Sequence, residues 1–90
     1  MTPEHVLAAV REAIVTVMEV EPGTVTRETR LVEDLRCDSL ALVEIAEIVE
    51  ELLPVTIDDP DLDDIRTVGE AVDYAYARLA NVATLHRDRR

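Results

Sequence analysis

Apolar residues return at helical spacing in three stretches, and no stretch sustains the alternation a strand requires. Leu7, Val10, Ile14 and Val17 recur every three or four residues and predict a first helix with one apolar stripe. Thr2-Pro3-Glu4 supplies its start: a hydroxyl cap, a proline at the first helical position and an acid in the first turn. Pro22-Gly23 is expected to end it. From Glu21 to Cys37 no period is sustained, and the stretch reads as a long ordered loop pinned to the core by Leu31 and Leu35. A second helix is expected from Asp38 or Ser39 to about Leu53, with Leu42, Ile45, Val49 and Leu52 facing inward and Pro54 as the stop. Asp59 as cap and Pro60 at the first helical position open a short helix of two turns at most. Thr67-Val68-Gly69-Glu70 is a capping box. It precedes a last helix whose apolar face is Val68, Ala71, Val72, Ala75 and Leu79. The expected fold is all-α: a small four-helix bundle of three main helices and one short one, over residues 1–80. Residues 81–90 are expected to form a flexible, basic-tipped tail.

Composition narrows the kind of core. Ninety residues suit one domain with one marginal core. Two Tyr and no Phe or Trp mean that Val, Leu, Ile and Ala must fill it, without the rigid plates that dominate most interiors. The single cysteine, Cys37, cannot close an internal disulfide, which with the lack of a signal-peptide pattern leads to an expected cytoplasmic setting. No apolar run approaches membrane-spanning length.

Charge changes the picture more. The net charge is −11, and every basic residue is an arginine. Between Glu33 and Asp64 stand twelve acids and one base, Arg36, while the rest of the chain balances. Such a surface repels nucleic-acid phosphates and steers in basic protein partners. The plainer alternative is a solvated, solubilising face.

Ser39 lies where the polar loop gives way to this acidic helix. Free N–H groups at a helix start can hold a phosphate, so a hydroxyl there suits a phosphate-linked attachment. Leu40 and Val43, ringed by Glu44 and Glu47, read as a small apolar anchor with a charged rim. Taken alone, a serine at a helix start is most often just a cap. A serine hydrolase is disfavoured: there is no Gly-x-Ser-x-Gly elbow, and His5 and His86 lie at opposite ends of the chain. A calcium loop is disfavoured too. Asp59, Asp61, Asp63 and Glu70 fall at ligand positions, but the obligatory glycine is Asp64, and Pro60 and Arg66 fit poorly, so no dedicated metal site is expected. An unmodified acidic interaction module would account for the charge alone.

From Pro3 to Leu79 the chain resembles the acyl carrier protein family. The resemblance rests on Val32-Glu33-Asp34-Leu35, Asp38-Ser39-Leu40, Val43-Glu44, Ile57-Asp58-Asp59, Ile65, Thr67-Val68 and Ala71-Val72-Asp73-Tyr74, at the family's spacings without a gap. It implies a non-enzymatic carrier in which Ser39 bears 4′-phosphopantetheine, added from coenzyme A by a phosphopantetheinyl transferase. The arm's thiol would hold acyl groups as thioesters for ketosynthase, acyltransferase and other enzymes of polyketide or fatty-acid assembly, antibiotic pathways included. It further implies that Asp38 and Arg36 flank the arm, that Leu40, Val43, Glu44 and Glu47 face partners, and that Ile45, Val49, Ile57, Ile65 and Ala71 line an acyl pocket. The carrier is expected to act as a monomer. An aminoacyl or peptidyl carrier is the alternative within this reading. Two departures stand out. The family usually has glycine and a small residue where this chain has Arg36 and Cys37, and often an apolar residue where it has Glu47. Arg36 would place a cation beside the arm's phosphate.

Overall fold

The computed structural model describes residues 1–88. Four α-helices follow in order: α1, Pro3–Met18; α2, Ser39–Leu52; α3, Asp59–Leu62; and α4, Val68–Asp88. A single 3-10 turn, Pro22–Thr24, lies after α1. Among the described residues there is no strand, only an isolated bridge between Arg30 and Thr67.

The caps of the three long helices form as the sequence predicts. Thr2 accepts from the His5 amide at 3.2 Å. Asp38, in extended backbone, caps α2 through the Ala41 amide at 2.8 Å. At α4 the box closes both ways: the Glu70 amide donates to Thr67 Oγ1, and the Thr67 and Arg66 amides donate to Glu70 Oε1. The short helix begins one residue earlier than expected. Its cap is Asp58, whose carboxylate makes no cap bond and instead pairs with Arg78 at 2.9 Å.

Helix α1 ends earlier than Pro22-Gly23. Met18 is its last residue, and Glu19 turns left-handed at φ 56°, its amide donating to the Val15 carbonyl. Proline 22 explains this, since it holds Glu21 extended and the chain must leave the helix before it. Helix α4 runs past Leu79 to Asp88, through most of the stretch expected to fray. Residues 80–87 contain neither Pro nor Gly, so nothing local stops the helix. Arg89 and Arg90 lie outside the described residues.

The core is aliphatic throughout. Val6, Val10, Ala13 and Ile14 of α1 cluster with Ala41, Ile45 and Val49 of α2 and Val68, Val72 and Ala75 of α4. The predicted stripe on α1 is shifted: Val6 and Ala13 lie at its centre, and Leu7 and Val17 are only half-buried. Because α1 packs against both α2 and α4, it needs an apolar face wider than one stripe. On α2, similarly, Leu42 is half-buried and Leu52 is exposed, with Ala41 and Ala46 in the core instead. Each fully buried Val or Ile contributes roughly 1.5–3 kcal/mol.

The long loop is ordered. Val25, Leu31 and Cys37 are buried in it, and Leu35 is half-buried. Buried Thr29 accepts from the Thr26 amide at 2.9 Å and donates to the Thr24 carbonyl at 3.0 Å. The Leu31 amide donates to the Arg66 carbonyl, the Val68 amide to Thr29 and the Gly69 amide to Arg27, so the loop is stitched to the start of α4. Gly69 permits that approach: a Cβ there would lie 3.0 Å from the Arg27 carbonyl oxygen.

Candidate functional site

Loop and helix together deliver Ser39 to the surface. The Cys37 amide donates to the Leu31 carbonyl at 3.0 Å, tying two buried residues across the loop. Between them Arg36 is left-handed at φ 62°. Its amide donates to the Val32 carbonyl at 2.9 Å. That one residue turns the chain so that Cys37 points into the core and the next two residues leave it. A non-glycine residue in this conformation costs about 1–2 kcal/mol, which explains why glycine is the usual occupant.

Ser39 is exposed and is the first residue of α2. Asp38 takes the Ala41 amide, while the amides of Ser39 and Leu40 have no intrahelical acceptor by position. Two donors and the positive helix end therefore surround the hydroxyl, the setting a phosphodiester needs. The prosthetic group implied by the family resemblance thus fits: the nucleophile is accessible, the donors are unspent, and an exposed cation, Arg36, lies three residues before it.

Beside Ser39 opens a cleft of about 290 Å³ between α2 and α3, lined by Ser39, Leu42, Val43, Pro60, Leu62 and Asp63. Leu42 and Val43 follow Ser39 by three and four residues, so helical spacing puts them on its face. That spacing could have identified Leu42, which the apolar pattern assigns wholly to the core. Leu62 carries no comparable signal, since its role depends on where α3 packs. A larger cleft of about 430 Å³ lies elsewhere, lined by Asp61, Asp64, Ile65, Glu70, Asp73 and Tyr74.

The residues expected to face partners divide. Leu40 is 67% exposed, the most exposed large apolar side chain of the described residues. Glu44 and Glu47 are exposed, whereas Val43 is half-buried against the cleft. Ile45 and Val49 are buried, and Ile57, Ile65 and Ala71 pack half-buried against the same cluster. Of these five, Ile65 lines the larger cleft and none lines the cleft at Ser39.

Charged groups nearby mostly serve the framework. Asp34 accepts from the Arg30 amide at 2.8 Å and pairs with its guanidinium at 3.2 Å. The amide bond, then the guanidinium, holds its carboxyl below the usual range. Burial, and secondarily Asp38, pushes the Cys37 thiol up, so that thiol is an inert filler. Glu50 accepts from the Ile57 amide at 2.7 Å. Tyr74 donates to Asp61 at 2.6 Å, and burial followed by this bond raises its pKa. Arg78 lies 5.3 Å from the Tyr74 ring centre, pairs with Asp58, and donates to the Thr56 carbonyl. Glu70, offered by the calcium pattern, is committed to the α4 cap. His5 lines a separate groove with Met1, Leu52 and Leu53 rather than meeting Ser39. No helix of the described residues is long and apolar enough to cross a membrane.

Comparison with known proteins agrees with this geometry. A family model described as "phosphopantetheine attachment site" matches residues 8–75. The meromycolate extension acyl carrier protein of Mycobacterium leprae is 43% identical over 82% of this chain, which spans 64% of that relative's length. The corresponding protein of Mycolicibacterium smegmatis is 45% identical over 81% of the chain and 74% of the relative. The acyl carrier protein of Thermotoga maritima is 37% identical over 84% of the chain and 94% of its own length. A solved structure of the Enterococcus faecalis acyl carrier protein superposes with a TM-score of 0.71 at 35% identity, covering 87% of this chain and 99% of that one. With the family model spanning the loop, Ser39 and the first turns of α4, the chain belongs to the acyl carrier protein family, carriers rather than enzymes whose prosthetic group is covalent 4′-phosphopantetheine.

Proposed function

We propose that Ser39 is the attachment residue and that this carrier presents acyl thioesters to the enzymes of fatty-acid or polyketide assembly. The observation that carries it is the exposed Ser39 hydroxyl at the N-terminus of α2, on the rim of an apolar cleft. Asp38 fixes the first turn, and Arg36 stands as a cation near the phosphodiester. The arm supplies a thiol for thioester chemistry; the chain supplies position and a recognisable surface. Leu40, Val43, Glu44 and Glu47 dock basic patches on a phosphopantetheinyl transferase, a ketosynthase and an acyltransferase. An interface of this kind is small, charged and salt-sensitive, which suits a carrier that must leave each enzyme quickly. Relatives named for meromycolate extension favour a long aliphatic cargo over an aminoacyl one. An aliphatic core that includes Ile45 and Val49, with Ile57, Ile65 and Ala71 half-buried at its edge, suits such a guest.

Incubation with coenzyme A and a broad-specificity phosphopantetheinyl transferase is expected to add one arm, read by intact mass. Ser39→Ala is expected to abolish the gain, and a gain surviving that substitution refutes the assignment.

A further inference from the structure

Arg27, Arg30 and Arg78 each pair with a carboxylate, and Arg11 donates to the Val25 carbonyl. Among the described residues Arg36 and Arg66 have no such side-chain partner. For Arg36 this is unexpected, because Glu33, Asp34 and Asp38 are all within three residues of it. Two of those acids are engaged elsewhere. Asp34 is taken by Arg30 and Asp38 by the Ala41 amide, and among the described residues Glu33 makes no ion pair with Arg36. Arg36 is therefore a cation without a direct ion pair among the described residues, on the most acidic part of the chain, at a left-handed position that glycine would occupy without strain.

Its neighbours are informative. Val32 is 52% exposed and Leu40 is 67% exposed. They flank Arg36 by four residues on either side, and the Val32 carbonyl accepts its amide. Exposed aliphatic side chains beside a docking helix are what a partner covers. Arg36 is exposed between them in the chain, so a partner that covers both has the guanidinium within reach. A uniformly basic patch that suits Glu44 and Glu47 would then press a like charge against Arg36, a repulsive arrangement that interfaces use to reject partners.

We propose that Val32 and Arg36 extend the α2 docking surface beyond Leu40 with a contact of opposite sign, which selects partner enzymes carrying a carboxylate within an otherwise basic patch. This rests on the carrier reading of Ser39 and goes beyond it by specifying the partner's chemistry. Arg36→Gly is the suitable variant, since glycine accepts the left-handed backbone and the fold is kept. Two enzymes serve as probes against the holo carrier: the elongating ketosynthase of the source organism, and a ketosynthase whose docking patch is uniformly basic. Arg36→Gly is expected to weaken binding to the first by roughly tenfold, the scale of one charged contact. The same variant is expected to strengthen binding to the second. No change with either enzyme, or a change of the same sign with both, overturns the proposal. A changed phosphorus NMR shift of the holo carrier with unchanged binding would assign Arg36 to the arm alone, and overturns it equally. If the wild type never gains the arm, the carrier reading itself fails, which the mass measurement shows separately.

Discussion

Asp34 illustrates how single residues hold this loop. Its carboxyl is lowered by the Arg30 amide and guanidinium, so the folded state binds its proton less readily than the unfolded chain does. The sign follows: the contribution is present above the ordinary carboxylate value and is lost as pH falls through the lowered one. Asp34→Asn is therefore expected to lower stability at neutral pH while flattening its decline below about pH 4, measured by urea unfolding across pH. An unchanged slope would remove Asp34 from the acid response. Features at this scale are legible in sequence when they depend on a fixed offset. Thr2, Asp38 and the Thr67–Glu70 box announce themselves because a cap needs a particular residue at a particular spacing. The left-handed turns at Glu19 and Arg36 do not, since neither residue favours that conformation and the surrounding anchors impose it.

At the scale of elements, the loop between α1 and α2 behaves as a structural member rather than a linker. Thr29 closes it locally, and the Leu31, Val68 and Gly69 amides join it to the start of α4. Thr29→Val keeps the shape but strands the Thr26 amide and the Thr24 carbonyl. A loss of about 1–3 kcal/mol is expected in chemical denaturation. A variant as stable as wild type would mean that solvent replaces both bonds. The existence and type of the three long helices are readable from periodicity, but their centres are not. Whether Val6 or Leu7 lies innermost depends on how many helices α1 touches. The Tyr74–Asp61 and Arg78–Asp58 contacts join residues thirteen and twenty apart, a separation no local pattern reveals.

For the molecule as a whole, charge works against folding and in favour of encounter. Net charge −11 on ninety residues brings self-repulsion that salt relieves. Raising ionic strength from about 0.01 M to about 0.1 M shortens the Debye length from about 30 Å to about 10 Å. The melting temperature is expected to rise over that range, by roughly 4–8 °C for each kcal/mol relieved. Partner association should weaken over the same range. A melting temperature that falls would point to attractive pairs such as Arg27–Asp73 outweighing the repulsion.

The cleft at Ser39 has unequal walls. Ser39, Leu42 and Val43 belong to a helix rooted in the core, whereas Pro60, Leu62 and Asp63 belong to a four-residue helix and its end. That short segment is tethered to α4 by Tyr74 and Arg78. Polar bonds hold that wall, whereas buried side chains hold the α2 wall. The aperture beside Ser39 is therefore set by those bonds, while the hydroxyl itself is placed by α2.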